Sequence, residues 1–281
     1  MTIVLPPNSI MQITIAPPFH AALRKRCQET GCTPEEIVAI ALREYLEIDE
    51  ETLFQTSTIG ALVEGVYRGD LTIAELRNYG DFGLGTFNDL DGEMVVVDGQ
   101  VWQLRSDGRA YPVADEVKTP FATVTFWQAD WTAILDQPLT YEELQRYLDS
   151  LLPSDNIFYA IKISGQFRSV RTRTIERQDE PTRLVEAAAR QPVHEFTHVS
   201  GDLVGFWTPS YLKTVNVPGY HFHFLSADRH QGGHVLDVCI DRVTIGIDDT
   251  PRLRMALPKT QEFLTANLTR DTEQELHQAE K

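Results

Sequence analysis

The spacing of apolar residues changes several times along the chain, and each change marks an expected element. MQITI, Met11 to Ile15, alternates with period two and predicts a strand with Met11, Ile13 and Ile15 on one face and Gln12 and Thr14 on the other. PPFHAALRKRCQET then reads as a helix that Gly31 stops, and TPEEIVAIALREYLE as a second helix. Thr33 suits the N-cap of that helix, with Pro34 at its first position and Glu36 closing a capping box. Leu23, Ile37, Ile40, Ala41 and Leu42 give the pair its apolar faces. DEETLFQTS, residues 49–57, reads as a linker. TIGALVEGVYRGDLTIAELRNYG predicts two short helices around a turn at Gly69–Asp70.

A different texture follows. GLGTFNDLDGEMVVVDGQVWQLRSDGRAYPV sets Asp-Gly turns at Asp91, Asp98 and Asp107 between short alternating runs, the pattern of a β-meander. FATVTFWQ, residues 121–128, predicts another strand, and TYEELQRYLDSLL an amphipathic helix capped by Thr140. In the second half, FYAIKISGQFRSVRTRTI reads as a hairpin, LVEAAARQ as a helical segment and DLVGFWTPSYLKTV as a strand and turn. HFHFLSA and GHVLDVCIDRVTIGID are strand-like, and TEQELHQAEK ends the chain as a polar helix. The fold expected is α+β with mixed or antiparallel sheets: a strand-helix-helix extension over residues 1–50 and two lobes over 51–155 and 156–281.

At 281 residues the chain is long enough for a sizeable core. Its 41 acidic against 25 basic side chains give a net charge of −16, which repels nucleic acid and anionic lipid. An anionic substrate would therefore need a local positive centre, a metal or an arginine. Three cysteines, Cys27, Cys32 and Cys239, form no disulfide framework, and no apolar run is long enough to span a bilayer. The expected location is the cytoplasm. Residues 10–48 resemble the ribbon-helix-helix module, whose strands pair across a dimer and can enter a DNA groove. Residues 1–50 hold only Arg24, Lys25, Arg26 and Arg43 against seven acidic residues, which favours a dimerising or packing role over DNA binding.

GYHFHFLSADRHQGGHVLDV is the most informative segment. His221 and His223 are two apart, so on a strand both imidazoles leave the same face while Phe222 and Phe224 turn to a core. His234 follows Gly232 and Gly233, whose flexible backbone lets a third imidazole return alongside. Three neutral imidazoles at this spacing suit Zn2+ with positions left open. The competing reading is three half-buried strand histidines with no metal. His20, His194, His198, His230 and His277 have no such pattern and read as surface residues.

STIGALVEGVYRGD, YGDFGLGTFNDLDGEMVVVDG, WQLRSDG, LLPSDNIFYAIKISGQF, VGFWTPSY and VPGYHFHFLSADRHQGGHVLD together resemble the ordered signature blocks of the alpha-acetolactate decarboxylase family. The resemblance runs from about Ser57 to the C-terminus and does not cover the first 50 residues. It implies a dimeric enzyme that converts 2-acetolactate to acetoin and CO2 through a metal-stabilised enediolate, with zinc held by His221, His223, His234, Glu93 and Glu280. Glu280 is assigned by its distance beyond the histidines; without the resemblance, Glu93 is a carboxylate after a turn and Glu280 a frayed end. The implied arginine is Arg173, which would bind the substrate's carboxylate, although alternation puts Arg171 on the same face. Thr86 is a candidate substrate contact, and Glu93, Glu280 and Arg173 are the candidate catalytic groups.

Two other functions compete. One is another metal-dependent lyase or a non-haem iron oxygenase, which His-x-His followed by His also suits. The other is a DNA- or partner-binding regulator in which the N-terminal module acts and the body senses a metabolite. With every expected metal and arginine position filled, an active decarboxylase is favoured.

Overall fold

The computed structural model describes residues 15–46, 51–180 and 182–280, which fall into two compact units, Met1–Asp49 and Glu50–Lys281. In the first, α1 (Pro17–Thr30) and α2 (Pro34–Leu46) form as expected on either side of Gly31. The strand expected over residues 11–15 lies, except for Ile15, outside the described residues.

The second unit begins with β1 (Thr52–Thr56), α3 (Ile59–Val63), β2 (Leu71–Thr72), α4 (Ile73–Leu76), β3 (Phe82–Thr86), β4 (Glu93–Val97) and β5 (Gln100–Leu104). It continues with β6 (Ala110–Pro112), β7 (Lys118–Thr119), β8 (Ala122–Thr125), β9 (Trp131–Leu135), β10 (Leu139–Thr140), α5 (Tyr141–Leu151) and β11 (Phe158–Arg173). The last elements are α6 (Leu184–Ala188), β12 (Val193–Thr208), β13 (Gly219–Ser226), β14 (Gly232–Thr250), β15 (Arg252–Ala256), α7 (Gln261–Thr265) and α8 (Glu273–Glu280). The fold is α+β.

A seven-stranded sheet runs β15-β1-β8-β3-β4-β5-β6, antiparallel except for the β15–β1 pair. The second sheet runs β10-β14-β11-β12-β13, with β9 also on β14. In this sheet β13 pairs back onto the start of β14, so the circuit β11–β12–β13–β14–β11 closes on itself. The sheets face each other. Leu53, Phe82, Leu84, Val95 and Val97 of the first pack against Phe158, Ala160, Val204, Phe206 and Leu225 of the second. The alternate residues Met94 and Val96 turn to the outer core with Phe54, Ile73 and Leu76, as the period-two pattern of EMVVV requires. Helix α5 begins at a capping box, Thr140 with Glu143, and buries Leu144 and Leu148 against the second sheet.

Three expectations are corrected. The supposed linker contains β1, a fully buried strand between β15 and β8. It looks polar because Gln55 is inside: its Nε2 donates to the Ser57 and Val215 carbonyls (2.9 and 2.7 Å), and its Oε1 accepts from Asn216 Nδ2 (2.9 Å). The supposed hairpin of residues 158–175 is mostly the single strand β11, paired with β12 on one side and β14 on the other. Gly165 makes no turn; a Cβ there would lie 2.3 Å from the Arg242 carbonyl oxygen, so it is a point of close strand approach. Last, Gly232 and Gly233 are strand residues at the barrel closure. The turn lies earlier, where Arg229 takes φ 60°.

Candidate metal centre

Strand pairing assembles the site. His223 faces His234 across the β13–β14 ladder, His221 lies two residues along the same face, and Arg173 of β11 faces His234 from the other side of β14. The closure needs glycine. A Cβ on Gly232 would lie 2.3 Å from the Phe224 carbonyl oxygen, and one on Gly233 would lie 2.7 Å from Thr172 Cβ. The first sheet contributes β4, whose first residue is Glu93, paired with Thr86 of β3. The C-terminal helix α8 brings in Glu280, and its first turn closes with the Leu276 N–H donating to the Thr272 backbone carbonyl (2.8 Å).

The three imidazole rings lie 4.9–5.4 Å apart between centroids, and one nitrogen from each falls within 4.8 Å of the others. His221 Nε2 and His234 Nδ1 are 3.1 Å apart. Two nitrogens bound to one tetrahedral zinc at about 2.1 Å would be about 3.4 Å apart. His223 is pinned: its Nδ1–H donates to the Met94 carbonyl (2.8 Å), which leaves a lone pair on Nε2. That Nε2 is buried without a hydrogen-bond partner, 3.7 Å from Glu93 Oε2. Glu280 Oε2, also buried and unpartnered by any hydrogen bond, lies 3.8 Å from His221 Nε2, 3.7 Å from His234 Nε2 and 3.7 Å from Arg173 Nη2.

Burial sets the charges. It holds His221 down to about 3, helped by the Arg173 charge, and holds His223 and His234 well below the ordinary imidazole range. Burial pushes Glu93 up to about 8 against the pull of Arg173, with Glu280 adding to the rise, and it raises Glu280 as well. Neutral imidazoles and buried carboxylates whose lone pairs converge on one point are what a bound dication would satisfy. The donor set, three nitrogens and two carboxylates, fits zinc.

All the expected residues meet here. Thr86, Glu93, Arg173, His221, His223, His234 and Glu280 line one cavity of about 40 Å3, roughly the room of an ion and a water. Thr86 Oγ1 donates to the Gly92 carbonyl (2.7 Å), so its hydroxyl proton is committed. Burial separates Arg171 from Arg173: Arg171 is exposed, whereas Arg173, paired with His234, is 8% exposed. Sequence reasoning missed Gln191 and an apolar wall of Ile59, Leu62, Leu90, Phe121, Ile175, Leu184 and Ala279, contributed by α3, α6, α8 and loops. These are dispersed singly along the chain, and no spacing links them. Beyond His221, His234 and Glu280 a second cavity of about 490 Å3 opens past Tyr141, Tyr220 and His277.

Comparison with known proteins gives one answer. The family model described as Alpha-acetolactate decarboxylase matches residues 53–270, a span that includes six of the seven site residues and ends before Glu280. An alpha-acetolactate decarboxylase of Methanosarcina mazei is 47% identical over 82% of this chain and 81% of its own. One from Methylococcus capsulatus is 47% identical over 83% of this chain and 90% of its own. The crystal structure of alpha-acetolactate decarboxylase from Bacillus subtilis superposes with a TM-score of 0.80 at 42% identity, covering 82% of this chain and 99% of that one.

Proposed function

The chain belongs to the alpha-acetolactate decarboxylase family, and from that premise we propose that it decarboxylates 2-acetolactate to acetoin and CO2 at a zinc ion held by His221, His223, His234, Glu93 and Glu280. The observation that carries the metal reading is the His223–Glu93 pair. A tautomer fixed by Met94 presents a bare Nε2 to a carboxylate oxygen 3.7 Å away, too far for a hydrogen bond and destabilising unless a cation lies between. Zinc in this position supplies a Lewis acid for the negative charge that develops on the substrate's ketone oxygen.

The other side chains bind and orient. Counting the dication, Arg173 and the two glutamates, the site carries a net charge of about +1, matched to a monoanionic substrate in a chain of net charge −16. Arg173 pairs with the substrate carboxylate through its planar guanidinium and holds the carbon that loses CO2 beside it. Loss of CO2 leaves the bond's electron pair on that carbon, conjugated into the ketone, and one proton taken up there completes acetoin. Thr86 Oγ1 keeps its lone pairs for the substrate's hydroxyl. The apolar wall excludes water. Its short helices α3, α6 and α8 pack on one another rather than within a sheet.

The chain is further proposed to work as a cytoplasmic homodimer, with residues 1–50 contributing to association. Cys27, Cys32 and Cys239 are all free thiols, as a reducing compartment permits, and among the described residues no helix is long and apolar enough to cross a membrane. No described residue of α1 is buried, and Phe19 (61% exposed) and Leu42 belong to an apolar groove formed with α2. Light scattering should then give twice the chain mass of 31.8 kDa. The metal reading is tested by zinc content after dialysis: one equivalent in the native protein and a large loss in His223→Ala. Equal zinc in the two would remove His223 from the ligand set.

A further inference from the structure

Among the described residues, Gln191 is the only amide side chain lining the metal cavity, and the roles above leave it unused. It sits in the turn between α6 and β12, two residues before Val193, which pairs with Arg173. The turn is tied down on both sides, by Gln191 N donating to the Ala188 carbonyl (3.3 Å) and Thr174 N donating to the Pro192 carbonyl (3.3 Å). Its side chain therefore enters the cavity from beside Arg173 and Ile175. There its Oε1 is buried with no hydrogen-bond partner, and Arg173 Nε shares that condition. An unpaired buried amide oxygen is costly, and in a ligand cavity the natural way to relieve it is a contact with the ligand, once the amide is turned to suit it.

The substrate narrows which contact. A carboxylate offers about four acceptor positions, and Arg173 must divide its donors between that group and Glu280, 3.7 Å from Nη2. Thr86 has committed its proton to Gly92, and the histidines face one another and the glutamates. The carboxamide of Gln191 is the remaining neutral donor. A half-turn of the amide exchanges its two ends at no covalent cost.

We propose that Gln191 is a substrate-binding residue of the decarboxylation, its carboxamide N–H donating to the substrate carboxylate alongside the Arg173 guanidinium. This rests on the decarboxylase reading. The contact is made in the ground state and kept into the transition state while the carboxylate is still attached, so it supports binding about equally in both and leaves the bond-breaking step nearly unchanged.

The test uses the zinc-loaded full chain and 2-hydroxy-2-methylbutanoate, which keeps the carboxylate and tertiary hydroxyl but cannot decarboxylate by this route. Calorimetry should show Gln191→Met binding it about ten- to a hundredfold more weakly than the native protein. KM for 2-acetolactate should rise in step while kcat changes by less than about threefold. Zinc content and affinity for acetoin, which has no carboxylate, should not change. Native affinity for the analogue in the variant, or equal weakening for analogue and acetoin, would overturn the assignment, the latter by showing a change of cavity shape. If the methionine variant does not fold, Gln191→Asn, which withdraws the amide by one methylene, is read by the same criteria. A native protein that makes no acetoin yet binds the analogue in a Gln191-dependent way would defeat the decarboxylase reading and leave the carboxylate contact standing.

Discussion

Replacing Asp248 by asparagine should raise stability at neutral pH and leave it nearly unchanged in acid. Asp248 lies on β14 opposite Ala160, is 3% exposed, and accepts the Gln128 N–H at 3.1 Å. Burial, reinforced by the charges of Asp130, Asp249 and Asp81, pushes its carboxyl up to about 7. An unfolded aspartate titrates near 3.9. Between those values the folded chain holds a proton that the unfolded chain releases. The carboxyl's contribution is therefore fully present below about pH 4 and is lost as pH rises through about 7. At about 1.4 kcal/mol per pH unit the full change is on the order of 4 kcal/mol, with roughly 2 kcal/mol falling between pH 5 and 7. Asparagine can still accept from Gln128 and has no charge to desolvate. The assay is urea unfolding of both proteins with zinc in fixed excess at pH 5 and pH 8, reading only the difference between them. The variant's advantage should grow by about 2–3 kcal/mol across that interval. A difference constant to within about 0.5 kcal/mol would refute the reasoning and show Asp248 to be solvated or paired.

Arg173→Lys keeps the charge but loses the planar fork, so kcat/KM should fall by about a hundredfold with zinc content unchanged; native turnover would show that charge alone suffices. Gly233→Ala puts a Cβ 2.7 Å from Thr172 Cβ at the barrel closure, and should lower both zinc affinity and thermal stability; a variant that binds zinc as the native chain does would show that β14 can shift without disturbing the imidazoles. Thr140→Ala removes the capping box of α5 and should cost about 1 kcal/mol in denaturant unfolding with activity retained.

Legibility followed local chemistry. The meander was visible because its Asp-Gly pairs impose turns: Gly92, Gly99 and Gly108 all take positive φ. Helix α5 was visible because Thr140 and Glu143 cap it and its leucines recur with helical period. The His221–His223 pair was legible from strand alternation alone, but its approach to His234 depends on the closure of β13 onto β14, which no local pattern encodes. Strand β1 was hidden because Gln55 buys its buried place with two long-range hydrogen bonds, to Val215 and Asn216 some 160 residues away, and a local one to Ser57. Strand β15, RLRMA, drew no expectation from the sequence and is a strand because it lies parallel to β1 at the sheet edge. Alternation could not choose between Arg171 and Arg173; burial beside His234 does. Gln191 was invisible for a related reason, since a lone amide ahead of a proline carries no signal until the strand behind it is placed next to Arg173.

The most direct test of the central claim is acetoin formation from racemic 2-acetolactate by metal-stripped protein titrated with zinc. Activity should be absent from the apoprotein, rise linearly and break at one zinc per chain, and His223→Ala should show no break. Full turnover by the stripped protein, or one tightly bound zinc without acetoin, would contradict the account.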